Sequence, residues 1–112
     1  IKDMIISGGE NIYPAEIESV LMGHDGVLDA AVVGVPNRKW GEEVKAFIVP
    51  NPNVPISQEE LITYCVDKLA SFKLPKTVEF IDIVPRNGAG KVQKNVLRDT
   101  SRKNSSAERN HK

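Results

Sequence analysis

The stretch Pro85-Arg86-Asn87-Gly88-Ala89-Gly90-Lys91-Val92-Gln93-Lys94 sets Lys91 on a glycine-rich loop, between an apolar strand-like run and a short helix-like run. Glycines free the backbone to turn and leave little bulk beside it. An ammonium on such a loop is a compact, mobile charge able to meet a phosphate or a carboxylate. Gly90-Lys91 invites comparison with the phosphate-cradling loop of nucleotide hydrolases, and the comparison fails. That motif needs a glycine where Pro85 stands and a Ser or Thr where Val92 stands. The dinucleotide-binding glycine pattern is absent as well. On residue types alone, Lys91 is either a solvated turn lysine or a cation presented to an anionic reactant.

Other groupings also bear on chemistry. Ser7-Gly8-Gly9 lies between two short apolar runs and reads as a hairpin turn. Arg38-Lys39-Trp40-Gly41 puts the only tryptophan beside two cations, and Phe72-Lys73-Leu74-Pro75-Lys76 repeats the pairing. Aromatic faces stack on bases and cations meet phosphates. The other reading is that Trp40 and Phe72 pin their loops to the core while the lysines are solvated. Cys65 stands alone, so it forms no internal disulfide. Among Leu61, Ile62, Val66 and Leu69 it reads as a small buried residue, not a nucleophile. His24 and His111 are isolated, so no metal site is expected. Glu42-Glu43 and Glu59-Glu60 read as solvated edges, not an acid–base pair.

The elements that must position these residues fit one domain of 112 residues, since a chain of this size buries a single core. Its 15 basic and 15 acidic residues balance, so no global field argues for nucleic acid or an anionic membrane. No apolar run approaches the ~20 residues of a membrane span. Asp3 to Ile6 and Asn11 to Tyr13 read as two strands around the Gly8-Gly9 turn. Pro14 opens a helix with Glu16 and Glu18 in its first turn, a stripe of Ile17, Val20 and Leu21, and Gly23 at its end. Val27 to Val35 and Val44 to Val49 read as strands joined by the six residues Pro36 to Gly41. Ser57 with Glu60 forms a capping box, and Leu61, Ile62, Cys65, Val66 and Leu69 give one helical face. Thr77 to Val84 reads as a long strand stopped by Pro85, and Val92, Val96 and Leu97 mark a short final helix. From Ser101 onward no aliphatic residue is larger than Ala107, so 101–112 is expected to be a disordered tail. The order ββ-α-β-β-α-β-α predicts an α+β fold: a small three-stranded sheet covered by helices, with an N-terminal two-stranded hairpin.

Taken together, the lysine loop and Ser7-Gly8-Gly9-Glu10-Asn11-Ile12-Tyr13-Pro14-Ala15-Glu16-Ile17-Glu18 resemble the C-terminal domain of an acyl-CoA synthetase, in the adenylate-forming, AMP-binding superfamily. Members end with a strand, a proline-basic pair, a polar-glycine turn, Gly-Lys and a basic helix, and 85–94 follows that order. The resemblance covers 1–100, and it implies that Lys91 is the catalytic lysine of adenylation. In that step a substrate carboxylate attacks the α-phosphate of ATP and pyrophosphate leaves. It further implies that this mobile domain then rotates, and that the Gly8-Gly9 hairpin lines the tunnel for the pantetheine arm of CoA. Trp40, Phe72, Lys73 and Lys76 would border the entrance for the CoA nucleotide, with Arg38 and Lys39 as secondary candidates. The family's hinge is a Gly-Arg-x-(Asp or Lys)-Asp segment whose last three residues would be Ile1-Lys2-Asp3, making Lys2 the pivot.

The parent enzyme implied by the resemblance converts a carboxylic acid, ATP and CoA to acyl-CoA, AMP and pyrophosphate. ATP with Mg2+ and CoA would be its substrates, with none tightly bound to this chain. The expected partners are a preceding N-terminal domain, CoA and the acyl-adenylate. The chain starts with Ile1, not Met, so it is expected to be a piece of a longer protein and inactive alone. A cytoplasmic location is expected, or an organelle lumen or matrix if an upstream signal exists. An adenylation domain that loads a carrier protein is the related alternative. Such domains usually end in Gly-Lys-x-Asp-Arg, whereas Gly90-Lys91-Val92-Gln93-Lys94 favours the CoA-using branch. Luciferase-like oxidation uses the same domain, and a non-catalytic binding module is the alternative outside enzymes.

Overall fold

The structure is a computed structural model that describes residues 3–110, with side chains as far as residue 103. The expected pivot Lys2 and the isolated His111 lie outside the described residues. Strands β1 (Ile5–Ser7) and β2 (Glu10–Ile12) form the N-terminal hairpin. Its turn places Gly8 at φ 58 and Gly9 at φ 82. A two-residue hairpin loop needs left-handed backbone at both positions, which glycine reaches without steric cost. Helix α1 (Pro14–Met22) starts on proline as expected and ends at Gly23.

The centre of the fold is the antiparallel pair β3 (Val27–Asn37) and β4 (Gly41–Pro50), followed by α2 (Gln58–Val66) and β5 (Thr77–Phe80). Strand β4 pairs with β3 on one edge. Its other edge is shared: β1 meets it through Ser7 and Gly41, and β5 runs parallel to Lys45 through Ile48. The hairpin and the three-stranded sheet thus join as one five-stranded sheet. Glu42 clasps that junction, its Oε1 accepting a hydrogen bond from Ile6 N at 3.0 Å. Glu43 Oε1 accepts from Asn37 Nδ2 at 2.8 Å. Neither carboxylate is the solvated edge expected from sequence.

Helices cover both faces of the sheet, which is why β3 and β4 read as nearly continuous apolar runs without alternation. On one face α1 and α2 bury Ile17, Leu21, Leu61 and Cys65 against Val32, Val44, Ala46 and Ile48. Burial pushes the Cys65 thiol up, which suits a packing residue and not a nucleophile. On the other face Phe47, Ala31 and Val33 meet Val84 and Leu97, with Val92 packed beside them. This second cluster is the floor beneath the Lys91 loop, because Val84 precedes that loop and Val92 and Leu97 follow it.

Several boundaries differ from the sequence-based expectation. The loop between β3 and β4 is Arg38 to Trp40 only, since Pro36 pairs with Glu42 and Asn37 with Gly41. Pro36 is tolerated because β3 is an edge strand, where a missing N–H breaks no ladder bond. Strand β5 ends at Phe80, not Val84. Its partner β4 ends at Pro50, and the chain then crosses to bury Val84 in the second cluster. Val66 is 57% exposed, off the predicted apolar face of α2. Val92 lies in a bridge with Arg86, before the final helix. That helix, α3 (Lys94–Asn110), runs through residues expected to be disordered. Ser101 is buried, and Lys45 Nζ donates to its Oγ at 2.6 Å, so a polar anchor on β4 holds α3 where no aliphatic side chain does. Among the described residues no helix is long and apolar enough to cross a membrane.

Candidate functional site

The Lys91 loop is rigid at its base and open at its tip. Asn87 N donates to Lys91 O at 2.9 Å, and Gly90 N donates to Asn87 O at 2.9 Å. The Asn87 carbonyl oxygen Oδ1 accepts from Ala89 N and Lys91 N, both at 3.0 Å. Gly90 closes the turn at φ 86, a backbone conformation that strains any residue with a Cβ. Below the turn, Arg86 bridges to Val92 and Gln93 N donates to Pro85 O at 2.9 Å. Lys91 is exposed. Its Nζ has no hydrogen bond or ion pair among the described residues. A fixed backbone that presents an unpaired ammonium can stabilise negative charge without first breaking a contact.

Two ion-pair groups brace the stem of this loop, and the sequence reading assigned neither. Arg86 grips Asp29 of β3 with two nitrogens, at 2.7 and 3.2 Å. The hydrogen bonds from Arg86 hold the Asp29 carboxyl below the usual carboxylate range, against the opposing effect of burial. On the far side, Lys94 Nζ contacts Asp3 Oδ2 and lies 3.2 Å from Glu18 Oε2. Glu18 Oε2 in turn accepts a hydrogen bond from Val32 N at 2.9 Å. Arg86 and Lys94 sit in the recognisable motif, but their partners are remote in sequence, with separations of 57 and 91 for Asp29 and Asp3.

The aromatic and basic candidates divide into two places. Gly8 N donates to Trp40 O at 2.9 Å. A Cβ on Gly8 would lie 3.6 Å from Trp40 Cδ1, whereas one on Gly9 would meet nothing within 4 Å. Lys76 Nζ sits 4.8 Å from the centre of the Trp40 ring, and Lys39 Nζ 5.4 Å. Gly8, Gly9, Trp40, Lys39 and Lys76 therefore form one platform at the hairpin end of the sheet, with Trp40 37% exposed. The turn under Trp40 repeats the chemistry of the lysine loop. Asn37 Oδ1 accepts from Lys39 N at 2.8 Å and Trp40 N at 2.9 Å, and Gly41 follows at φ 84. Phe72 and Lys73 lie apart on a short 3-10 turn, Ser71–Lys73. Lys73 Nζ is bound to Glu16 Oε1 of α1 at 2.8 Å, and 5.6 Å from the Phe72 ring. Arg38 is exposed beside the platform. Among the described residues no three His, Cys, Asp or Glu side chains converge where a metal ion could sit.

Residues 16–91 match the model of a family described as the AMP-binding enzyme C-terminal domain. The chain is 52% identical over 99 residues to a long-chain-fatty-acid–CoA ligase of Mycobacterium tuberculosis, covering 88% of this chain and 20% of that protein. It is 57% identical over 99 residues to a fatty acid–[acyl-carrier-protein] ligase of Streptomyces coeruleorubidus, covering 88% of this chain and 19% of that one. Among solved structures, apo MatB from Rhodopseudomonas palustris superposes with a TM-score of 0.85 at 47% identity, over 88% of this chain and 20% of that one. The chain thus spans about a fifth of the length of these relatives.

Proposed function

On the premise that this chain belongs to the AMP-binding enzyme C-terminal domain family, we propose that it is the mobile C-terminal domain, residues 1–100, of an ATP-dependent acyl-CoA ligase. Lys91 serves the first half-reaction. A carboxylate oxygen of the acid attacks the α-phosphorus of ATP, which arrives with its magnesium, and the bond to pyrophosphate breaks. Two anions must approach and negative charge grows on the phosphoryl oxygens. An ammonium held between them lowers the repulsion and stabilises the transition state. The observation that carries this reading is the exposed Lys91 ammonium, without a partner among the described residues, on its braced, open loop.

In the second half-reaction the thiol of CoA attacks the acyl-adenylate carbonyl and AMP leaves. The platform of Trp40 and Lys76 beside the Gly8-Gly9 turn suits the nucleotide end of CoA, with an aromatic face for the base and ammonium groups for phosphates. The bare glycine turn suits close passage of a thin pantetheine arm. Phe72 and Lys73 belong to the outer border of this entrance, Arg38 and Lys39 to its near side, and Lys2 is the pivot of the rotation between half-reactions. Stacking on an aromatic side chain is worth about 1–3 kcal/mol per base. Trp40→Ala in the full-length protein is accordingly expected to raise the KM for CoA about tenfold, with the adenylation rate unchanged. An unaltered CoA dependence removes Trp40 from the site.

The test of the division of labour is direct. The full-length polypeptide should release pyrophosphate only when an acid substrate is present, and the 112-residue chain alone should release none. Turnover by the isolated chain would refute the placement of the ATP and acid pockets on a preceding domain. The identity to a carrier-protein ligase favours one second reading, in which the acceptor thiol belongs to an acyl carrier protein. A comparison of free CoA with a phosphopantetheinylated carrier as acceptor separates the two.

A further inference from the structure

We propose that Lys94 is a positioning residue for Lys91, and that it couples the catalytic loop to the segment entering β1. The proposal rests on the reading of Lys91 given above. Lys94 is the first residue of α3, where the helix macrodipole disfavours a cation. Helix formation therefore does not explain a lysine there, whereas its contacts do. Its side chain is only 18% exposed and its ammonium is shared between Asp3 and Glu18. Glu18 is itself locked to the backbone of β3 through Val32 N. Between Lys94 and Lys91 stand only Val92 and Gln93, both held by the stem through the bridge to Arg86 and the bond to Pro85 O. The loop thus stands on two legs: Arg86 on Asp29 at its entry, and Lys94 on Glu18 and Asp3 at its exit. The second leg also ties down Asp3, just ahead of β1, so the loop and the entering segment move together.

Partly exposed ion pairs contribute little to global stability. The loss of such a pair should appear instead as poorer placement of the reacting cation, where a shift of about 1 Å costs up to ~10²-fold in rate. In the full-length protein, Lys94→Met is expected to lower the ratio of acid-dependent pyrophosphate release to thioester formation from supplied acyl-adenylate by about tenfold. Lys94→Arg, which keeps the charge, should restore most of that ratio. In a Lys91→Ala background, Lys94→Met should have no further effect on pyrophosphate release, because it acts through Lys91. Asp3→Asn leaves the Lys94–Glu18 contact in place and should lower the same ratio by less, which keeps the test readable should Lys94→Met fold poorly. Equal loss of both half-reactions, or the same proportional loss with Lys91 already replaced, would overturn the proposal. If Lys91→Ala stops adenylation while Lys94→Met and Asp3→Asn leave the ratio unchanged, this inference alone fails. If Lys91→Ala leaves adenylation intact, the functional reading fails and takes this inference with it.

Discussion

Lys91→Ala in the full-length protein is expected to slow acid-dependent pyrophosphate release by on the order of 10²–10³ and to leave thioester formation from supplied acyl-adenylate nearly unchanged. The size follows from what the side chain offers. A preorganised charge aimed at developing negative charge is worth roughly 2.7–4 kcal/mol in the transition state when water is excluded. Lys91 makes no contact that would oppose this use among the described residues, and its backbone is fixed by Asn87 and Gly90. The selectivity follows from the chemistry of the second step, where the phosphoryl group is a leaving group already carried by the adenylate. Stability should be unaffected, since Lys91 is exposed and has no partner among the described residues. Single-turnover measurement of the two half-reactions decides the matter, and a parallel fall in both would refute the assignment.

Phe47→Ala should destabilise the domain by about 3–5 kcal/mol. Phe47 is fully buried and is the largest side chain of the second cluster. Its removal takes contacts from Val84 and Leu97, which lie on either side of the lysine loop, and from Lys45, whose ammonium is 5.1 Å from the ring centre. A domain of this size has a total stability of about 5–15 kcal/mol, so the variant loses a large fraction of it. Urea unfolding of the chain, followed by far-ultraviolet circular dichroism, should show a lowered midpoint at an unchanged slope. A midpoint within error of the wild type would mean that Phe47 does not hold this cluster together.

Both expectations concern one short motif, yet they draw on different kinds of information. The Asn87 to Lys91 turn is legible in the residues themselves. An asparagine that can accept from backbone two and four residues on, followed by glycines, closes locally whatever lies nearby. The same holds for Gly8-Gly9, for Pro14 at the start of α1, and for Ser57, whose hydroxyl accepts from Glu60 N at 3.1 Å. The two loops bearing Lys91 and Trp40 share one local chemistry, and both were visible as loops before any fold was known.

The distant pairings were not visible. Glu16 and Glu18 look alike in sequence as first-turn acids of α1. In the fold Glu16 binds Lys73, while Glu18 joins Val32 and Lys94. Lys73 and Lys76 look alike as cations of one basic loop, yet only Lys76 lies against Trp40. Nothing in the periodicity of β5 foretells its end at Phe80, opposite Ile48 of β4, after which the chain turns away to bury Val84 in the second cluster. The stretch from Ser101 onward looks unable to fold because its composition lacks large apolar groups, yet Ser101 itself is buried and held by Lys45 of another strand.

Local turn chemistry, capping and hydrophobic runs thus determined the element types, the α+β class and the presence of an exposed lysine on a tight loop, because each depends on neighbours a few residues away. Tertiary structure alone decided which charges meet, where strands end and which candidates share a surface. Those outcomes depend on residues brought together from 14 positions apart for Glu18 and Val32 to 91 for Asp3 and Lys94, and the sequence carries no local signal for such contacts.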